Sequence, residues 1–248
     1  MSLRLRKAGA RPVKVGVTLP QFRSEAEPAI EAARRAEALG LDGVFVFDHV
    51  WPLRRPDRPA LHSHTLLGAL AAETERVVLG TLVARVGLLP DAVLVHTLAT
   101  VARMVGPDRF IAGLGTGDAG NRPENEAYGI PFASAADRLA EVIVCARLLR
   151  AVGVRTWIGG LSAATRRAAA EADGWNGWGL TPAEWAEAVA GMPAGLEKTW
   201  AGQVRGDDPA VIAAQLRDIA KAGASWAICA PIEGATVETV AEAAAARQ

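Results

Sequence analysis

The chain has 248 residues, 50% of them hydrophobic and 22% charged, with 27 Lys and Arg against 27 Asp and Glu. A formal net charge of zero gives no electrostatic case for a nucleic-acid or membrane-surface protein, and the apolar share is too high for intrinsic disorder. No stretch reaches the roughly 18 apolar residues of a spanning helix. No signal-peptide core follows the basic first twelve residues, which are expected to be flexible. Cys145 and Cys229 form neither a disulfide framework nor a ligand spacing, so a cytoplasmic protein is the expectation.

Residues 13–19 alternate with period 2, a strand signal. Ser24-x-x-Glu27 has the capping-box pattern and predicts a helix through Ile30, Ala33 and Leu39 that stops at Gly40. Residues 43–50 (GVFVFDHV) form a short apolar run ending in polar residues, as in a strand buried on both faces. A helix from about 65 to 74 and a third strand over 76–85 follow. Pro90-Asp91 opens a helix with apolar residues at Leu94, Leu98, Val101 and Val105, and residues 109–117 (RFIAGLGTG) make the fourth strand. Ser134-x-x-Asp137 starts a helix with the stripe Leu139, Val142, Ile143, Ala146 and Leu149. In the second half, residues 156–160 make the fifth strand and Ser162 caps a helix running to 172. Residues 174–179 (GWNGWG) are the sixth strand. Thr181-Pro182-x-Glu184 combines an N-cap, an early proline and a box partner. Residues 199–202 and 225–230 are the last two strands, separated by a helix from Asp208-Pro209 and closed by an alanine-rich helix from Thr236.

Eight strand–helix pairs in a chain of this length predict one (β/α)₈ TIM-barrel domain over residues 1–248. A doubly wound open sheet is the alternative, but the first strand ends Leu19-Pro20-Gln21 without its glycine fingerprint.

Barrel chemistry sits at the C-terminal ends of the strands. Asp48-His49-Val50-Trp51, after the second strand, offers acid–base chemistry at neutral pH, or else a turn cap and a solvated loop histidine. Gly115-Thr116-Gly117-Asp118 and Asn121 follow the fourth strand, where glycines let a flat ligand approach the backbone. Gly159-Gly160 precedes a helix N-terminus that favours phosphate; the alternative is a tight corner. Trp51 and Trp178 are placed to wall a pocket, the other tryptophans to pack. Arg85 is read as an anion contact in the mouth or a surface ion pair. His62-x-His64 lacks further ligands, so two surface loop histidines and no metal site are expected.

The chain resembles the luciferase-like monooxygenase superfamily, particularly its branch that uses the deazaflavin coenzyme F420. The resemblance is carried by VGVTLPQ at 15–21, FDH at 47–49, LAAETERVVLGT at 70–81, LAT at 98–100, GPDRFIAGLG at 106–115, YGIPF at 128–132 and WIGG at 157–160. It implies a flavin or deazaflavin across the barrel mouth, its ring supported by a non-prolyl cis peptide at Leu82–Val83. Asp48 and His49 would contact that ring, and His49 and Asp118 would handle protons. Asp118 stands where a sugar-phosphate dehydrogenase branch carries glutamate. Gly115, Thr116, Gly117 and Asn121 match further cofactor contacts, Gly159 and Gly160 match the phosphate site, and Gly177 and Trp178 are counted with the cofactor-binding positions. The family's long insertion before the fifth strand is missing, which implies a more open pocket or one covered by a second subunit of a homodimer. The implied function is hydride transfer between coenzyme F420 and a small organic substrate. The alternatives are an FMN-dependent monooxygenase and a non-catalytic flavin- or deazaflavin-binding protein.

Overall fold

Strands buried on both faces must be covered inside and out, and a closed barrel ringed by helices does both. The computed structural model describes residues 13–246; the first twelve residues, expected to be flexible, lie outside them. Its strands are β1 (Lys14–Thr18), β2 (Gly43–Val46), β3 (Val78–Thr81), β4 (Ala84–Arg85), β5 (Phe110–Gly115), β6 (Arg155–Gly159), β7 (Gly174–Trp178), β8 (Glu197–Arg205) and β9 (Trp226–Ile232). All pair in parallel in the order β3-β2-β1-β9-β8-β7-β6-β5-β4, and β3 also pairs with β5, closing the sheet. β3 and β4 share the partner β5 and together form the third stave, so the barrel is the eight-stranded one expected. The break between them is a cis peptide joining Leu82 to Val83, where the resemblance puts it.

The barrel interior is filled by one cluster that includes Phe45, Ile111, Trp157, Trp226 and Ile228. Phe45 stacks on Trp157 at 5.8 Å and meets Trp226 edge-on at 5.7 Å. Gly16 and Gly80 leave the space its ring occupies: a Cβ on either would fall within 2.9 Å of that ring. A second, larger cluster fills the layer between strands and helices.

The helices are α1 (Glu27–Ala38), α2 (Ser63–Glu73), α3 (Asp91–Val105), α4 (Arg122–Ala127), α5 (Ala135–Ala151), α6 (Ala163–Ala168), α7 (Pro182–Val189), α8 (Pro209–Lys221) and α9 (Val237–Ala245). Ser134, Ser162, Thr181, Asp208 and Thr236 cap the helices they were expected to open. Ser24 does not. α1 starts after Ala26, without a side-chain cap and with proline in its first turn. α2 starts two residues earlier than expected, with His62 at its N-cap. α4 was not anticipated. It is a six-residue helix opened by Pro123, too short for a periodic apolar stripe. α5 reaches β6 through residues 152–154 alone, with Gly153 at φ +79°. That link lies at the N-terminal end of the barrel beside Asp108, Asp173 and Glu197, so its brevity does not open the mouth.

Candidate active site

The expected site residues hang from the C-terminal ends of β2 to β7. Asp48 and His49 have different fates. Asp48 is buried; one carboxylate oxygen accepts from Ser63 Oγ at 2.7 Å and the other from the Arg85 N–H at 2.8 Å. It therefore ties the end of β2 to the start of α2 and to β4. His49 keeps a quarter of its side chain exposed and sets Nδ1 2.9 Å from Glu124 Oε1. Its Nε2 has no hydrogen-bond partner among the described residues.

Glu124, on α4, was missed in the sequence. It is fully buried, and groups from His49, Val50, Arg85 and Asn121 converge on its carboxylate. Oε2 accepts from the Val50 N–H at 3.0 Å and from Arg85 Nη2 at 3.2 Å; Asn121 Nδ2 lies 3.3 Å from Oε1. Burial pushes such a carboxyl up, but His49, the Val50 N–H and Arg85 outweigh it and hold Glu124 below its ordinary value. The acid bonded to His49 is thus Glu124. Asp118 is exposed, and its carboxylate accepts the Gly120 N–H at 2.7 Å as the cap of a short turn. Asn121 completes that turn from a buried position, with Oδ1 accepting the Asp118 N–H.

Arg85 makes neither of the contacts expected of it in the open mouth or on the surface. It is 4% exposed and pairs with the buried Glu124. Its stem passes Gly117, where φ is +63° and a Cβ would sit 2.8 Å from Arg85 Cδ, so glycine is required there twice over. Thr116 stands beside it, half-buried, its carbonyl accepting from Arg138 Nε at 2.8 Å.

Leu82 is buried, whereas Val83 is half-buried. A Cβ on Gly159 would approach Val83 Cγ1 to 2.8 Å, and one on Gly115 would collide with Val83 Cγ2. These two glycines therefore seat a valine, which forms an apolar platform. Gly160, at φ +139°, donates its N–H to the Asn176 carbonyl at 3.1 Å. It is not itself free to hold an anion, which corrects the expected phosphate donor. The N–H groups of the first turn of α6 have no intrahelical acceptor, and Ser162 takes only that of Thr165. Gly177 makes room for the Trp175 ring, 2.6 Å from where its Cβ would stand.

Aromatic rings surround these groups. Phe22 stacks on Phe47 at 5.7 Å and tilts against His49 at 6.2 Å. Trp178 meets Phe47 edge-on and is 37% exposed. Trp51 stacks on Tyr128. His62 is exposed as expected, but His64 is buried on α2 rather than on a surface loop, and its Nε2 has no hydrogen-bond partner. Among the described residues no three His, Cys, Asp or Glu side chains are grouped to hold a metal, and no helix is long and apolar enough to cross a membrane.

Known proteins resemble this chain in sequence and in fold. The F420-dependent glucose-6-phosphate dehydrogenase of Kineococcus radiotolerans is 33% identical over 141 residues, 56% of this chain and 41% of the relative. That of Intrasporangium calvum is 34% identical over 116 residues, 47% and 35% of the two chains. The matches thus span less than half the length of these relatives. Among solved structures, an F420-dependent secondary alcohol dehydrogenase in complex with an F420-acetone adduct superposes with a TM-score of 0.80 at 16% identity, covering 96% of this chain and all of the other. The coenzyme F420-dependent tetrahydromethanopterin reductase of Methanopyrus kandleri gives 0.75 at 13%, covering 94% and 98%. At these identities the superpositions speak for the barrel alone. The family model for luciferase-like monooxygenases matches residues 12–153, more than half of the sequence, and the chain belongs to that family.

Proposed function

We propose that the protein is an oxidoreductase that exchanges a hydride between coenzyme F420 and a small organic substrate. The observation that carries this reading is one juxtaposition at the mouth. Val83 forms an apolar platform over Gly115 and Gly159, and the Asp48–Arg85 bond ties β4, which directly follows it, to the segment after β2 that carries His49. A side chain on either glycine would displace the valine that forms the platform, and a flat ring would lie against that apolar surface. The named F420 dependence of the curated relatives supports the same reading.

When bound, the deazaflavin would supply the hydride chemistry, leaving binding, orientation and proton handling to the protein. His49 Nε2, free of protein partners, would take or return the proton that accompanies hydride transfer at the substrate. Asp118, exposed at the rim, would serve as a second proton-handling group. Phe22, Phe47 and Trp178 would exclude water along one side, and Trp51 would wall the other. The first-turn N–H groups of α6, beyond Gly160, would receive the cofactor phosphate.

Titration of the purified protein with F420 and with FMN, each oxidised and reduced, tests this reading through quenching of the tryptophan fluorescence. F420 is expected to bind and to be reduced on addition of a small alcohol or sugar substrate. Preferential FMN binding with oxygen-dependent turnover would establish the monooxygenase alternative instead. Tight F420 binding with no turnover across a substrate panel would establish a binding protein.

A further inference from the structure

We propose that Glu124 is a positioning residue that fixes His49 in the tautomer with its proton on Nδ1, so that Nε2 presents the lone pair at the mouth. The inference rests on the reading of His49 as the proton-handling group, and it adds what makes that histidine a base at a defined atom. A neutral imidazole carries one proton, and the hydrogen bond made by one nitrogen decides the state of the other.

Two groups compete for His49 Nδ1. Glu124 Oε1 is an acceptor at 2.9 Å, and Asn121 Nδ2 is a donor at 3.5 Å. Asn121 cannot turn its amide around, because its Oδ1 is committed to the Asp118 N–H at 2.8 Å. The shorter contact, to a carboxylate, wins, and Nδ1 must donate. Glu124 can accept there because its other oxygen is saturated by donors, the Val50 N–H and Arg85 Nη2. Arg85 therefore acts two bonds removed: it keeps Glu124 ionised, so the carboxylate orients the ring instead of competing for its proton. Glu124 and Arg85 are 0% and 4% exposed, so water does not weaken this chain of contacts.

The arrangement makes an unusual prediction for Glu124→Gln. The two donors on the Oε2 side require a carbonyl there, so the glutamine amide NH₂ must face His49. Nδ1 then becomes the acceptor, and the proton moves to Nε2. The substitution preserves volume yet inverts the tautomer. In serine proteases, the same carboxylate-to-amide change behind a catalytic histidine lowers turnover about 10⁴-fold.

The test is nitrogen-15 NMR of the histidine rings in the full-length protein without cofactor, at a pH where His49 is neutral, with His49→Ala identifying its signals. The wild type is expected to show a protonated Nδ1 and an unprotonated Nε2. Glu124→Gln is expected to show the reverse, with hydride transfer about 10²- to 10⁴-fold slower and F420 affinity unchanged. A wild-type Nε2–H tautomer overturns the proposal, and this measurement stands even if the variant does not fold. An inverted tautomer with undiminished turnover also overturns it. The Nδ1–H tautomer in a protein that binds no F420 supports the hold of Glu124 on His49 while refuting the cofactor reading.

Discussion

The two halves of the barrel bury different things. Asp48, His64, Arg85, Glu124 and Arg138, the charged or titratable polar side chains buried among the described residues, belong to the first half. Trp157, Trp175, Trp185, Trp200 and Trp226, the fully buried tryptophans, belong to the second, where the buried polar groups are Thr156, Thr165, Asn176, Thr199 and Thr239. Three of these indoles place their N–H on a fixed oxygen: Trp175 on the Gly160 carbonyl, Trp200 on the Leu180 carbonyl and Trp157 on Glu197. Large apolar area with one directed donor suits a scaffold, whereas buried ions must be satisfied by several partners at once and so define positions closely. One half supplies stiffness and the other supplies placement, and the mouth draws on both.

Substitutions separate these roles. The largest effect is expected from His49→Ala, which should slow single-turnover hydride transfer roughly 10²- to 10⁴-fold while cofactor affinity changes far less; stability should fall by about 1–3 kcal/mol, because the buried Glu124 carboxylate loses its 2.9 Å partner. A fully active variant would reduce His49 to cofactor positioning.

Next come two core changes that should cost similar amounts for opposite reasons. Arg85→Met leaves the buried Glu124 carboxylate without its cation and should cost roughly 3–5 kcal/mol. Trp185→Ala removes one member of a stack in which the Trp175 and Trp185 rings lie 5.5 Å apart and 8° from parallel, leaving a cavity worth roughly 3–5 kcal/mol. Urea unfolding across pH distinguishes them. The pKa of Glu124 is lowered in the fold, so its contribution is present above its unfolded value, about 4.3, and is lost as pH falls through the lower folded value. Acid therefore narrows the gap between wild type and Arg85→Met. The deficit of Trp185→Ala should hold constant with pH, and two parallel pH profiles would erase the distinction drawn between the halves.

Gly160→Ala stands lower. A side chain at φ +139° meets Thr165 Cγ2 at 2.9 Å, so a loss of about 1–3 kcal/mol is expected in calorimetry, with weaker cofactor binding beside it. Unchanged affinity in the folded variant would move the phosphate site away from α6. Asp118→Asn should be smallest: asparagine caps as aspartate does, stability should stay within about 0.5 kcal/mol, and any loss of turnover reports proton chemistry alone.

The scaffold was more legible in the sequence than the site. Strands and caps are local: Thr181-Pro182-x-Glu184 carries its full capping box within four residues, and the structure forms it. Ser24 shows the limit of such patterns, since a proline one residue into α1 set the start instead. Glu124 lies 75 residues from His49 and 39 from Arg85, and nothing in its neighbourhood announces either partner. Its one local signal is an acid between Pro123 and Asn125 on a segment too short to show a period. Asp118 attracted attention because it follows a glycine turn, yet that turn uses its carboxylate as a cap. The cis bond at Leu82–Val83 was anticipated through resemblance and not through composition, because a bond of that kind leaves no mark on residue types.

The valine platform also carries a historical constraint. Gly115 and Gly159 stand on neighbouring strands, paired with each other in register, and both are emptied for the one side chain of Val83. Lineages descending from a common ancestor cannot alter these positions independently. An alanine at Gly159 becomes tolerable only after residue 83 has shrunk, and once it is fixed, reversion at 83 is closed off. The order of changes is thereby constrained. Reconstructed ancestors of this barrel should show residue 83 changing before either glycine, a ratchet written into two strands and one loop.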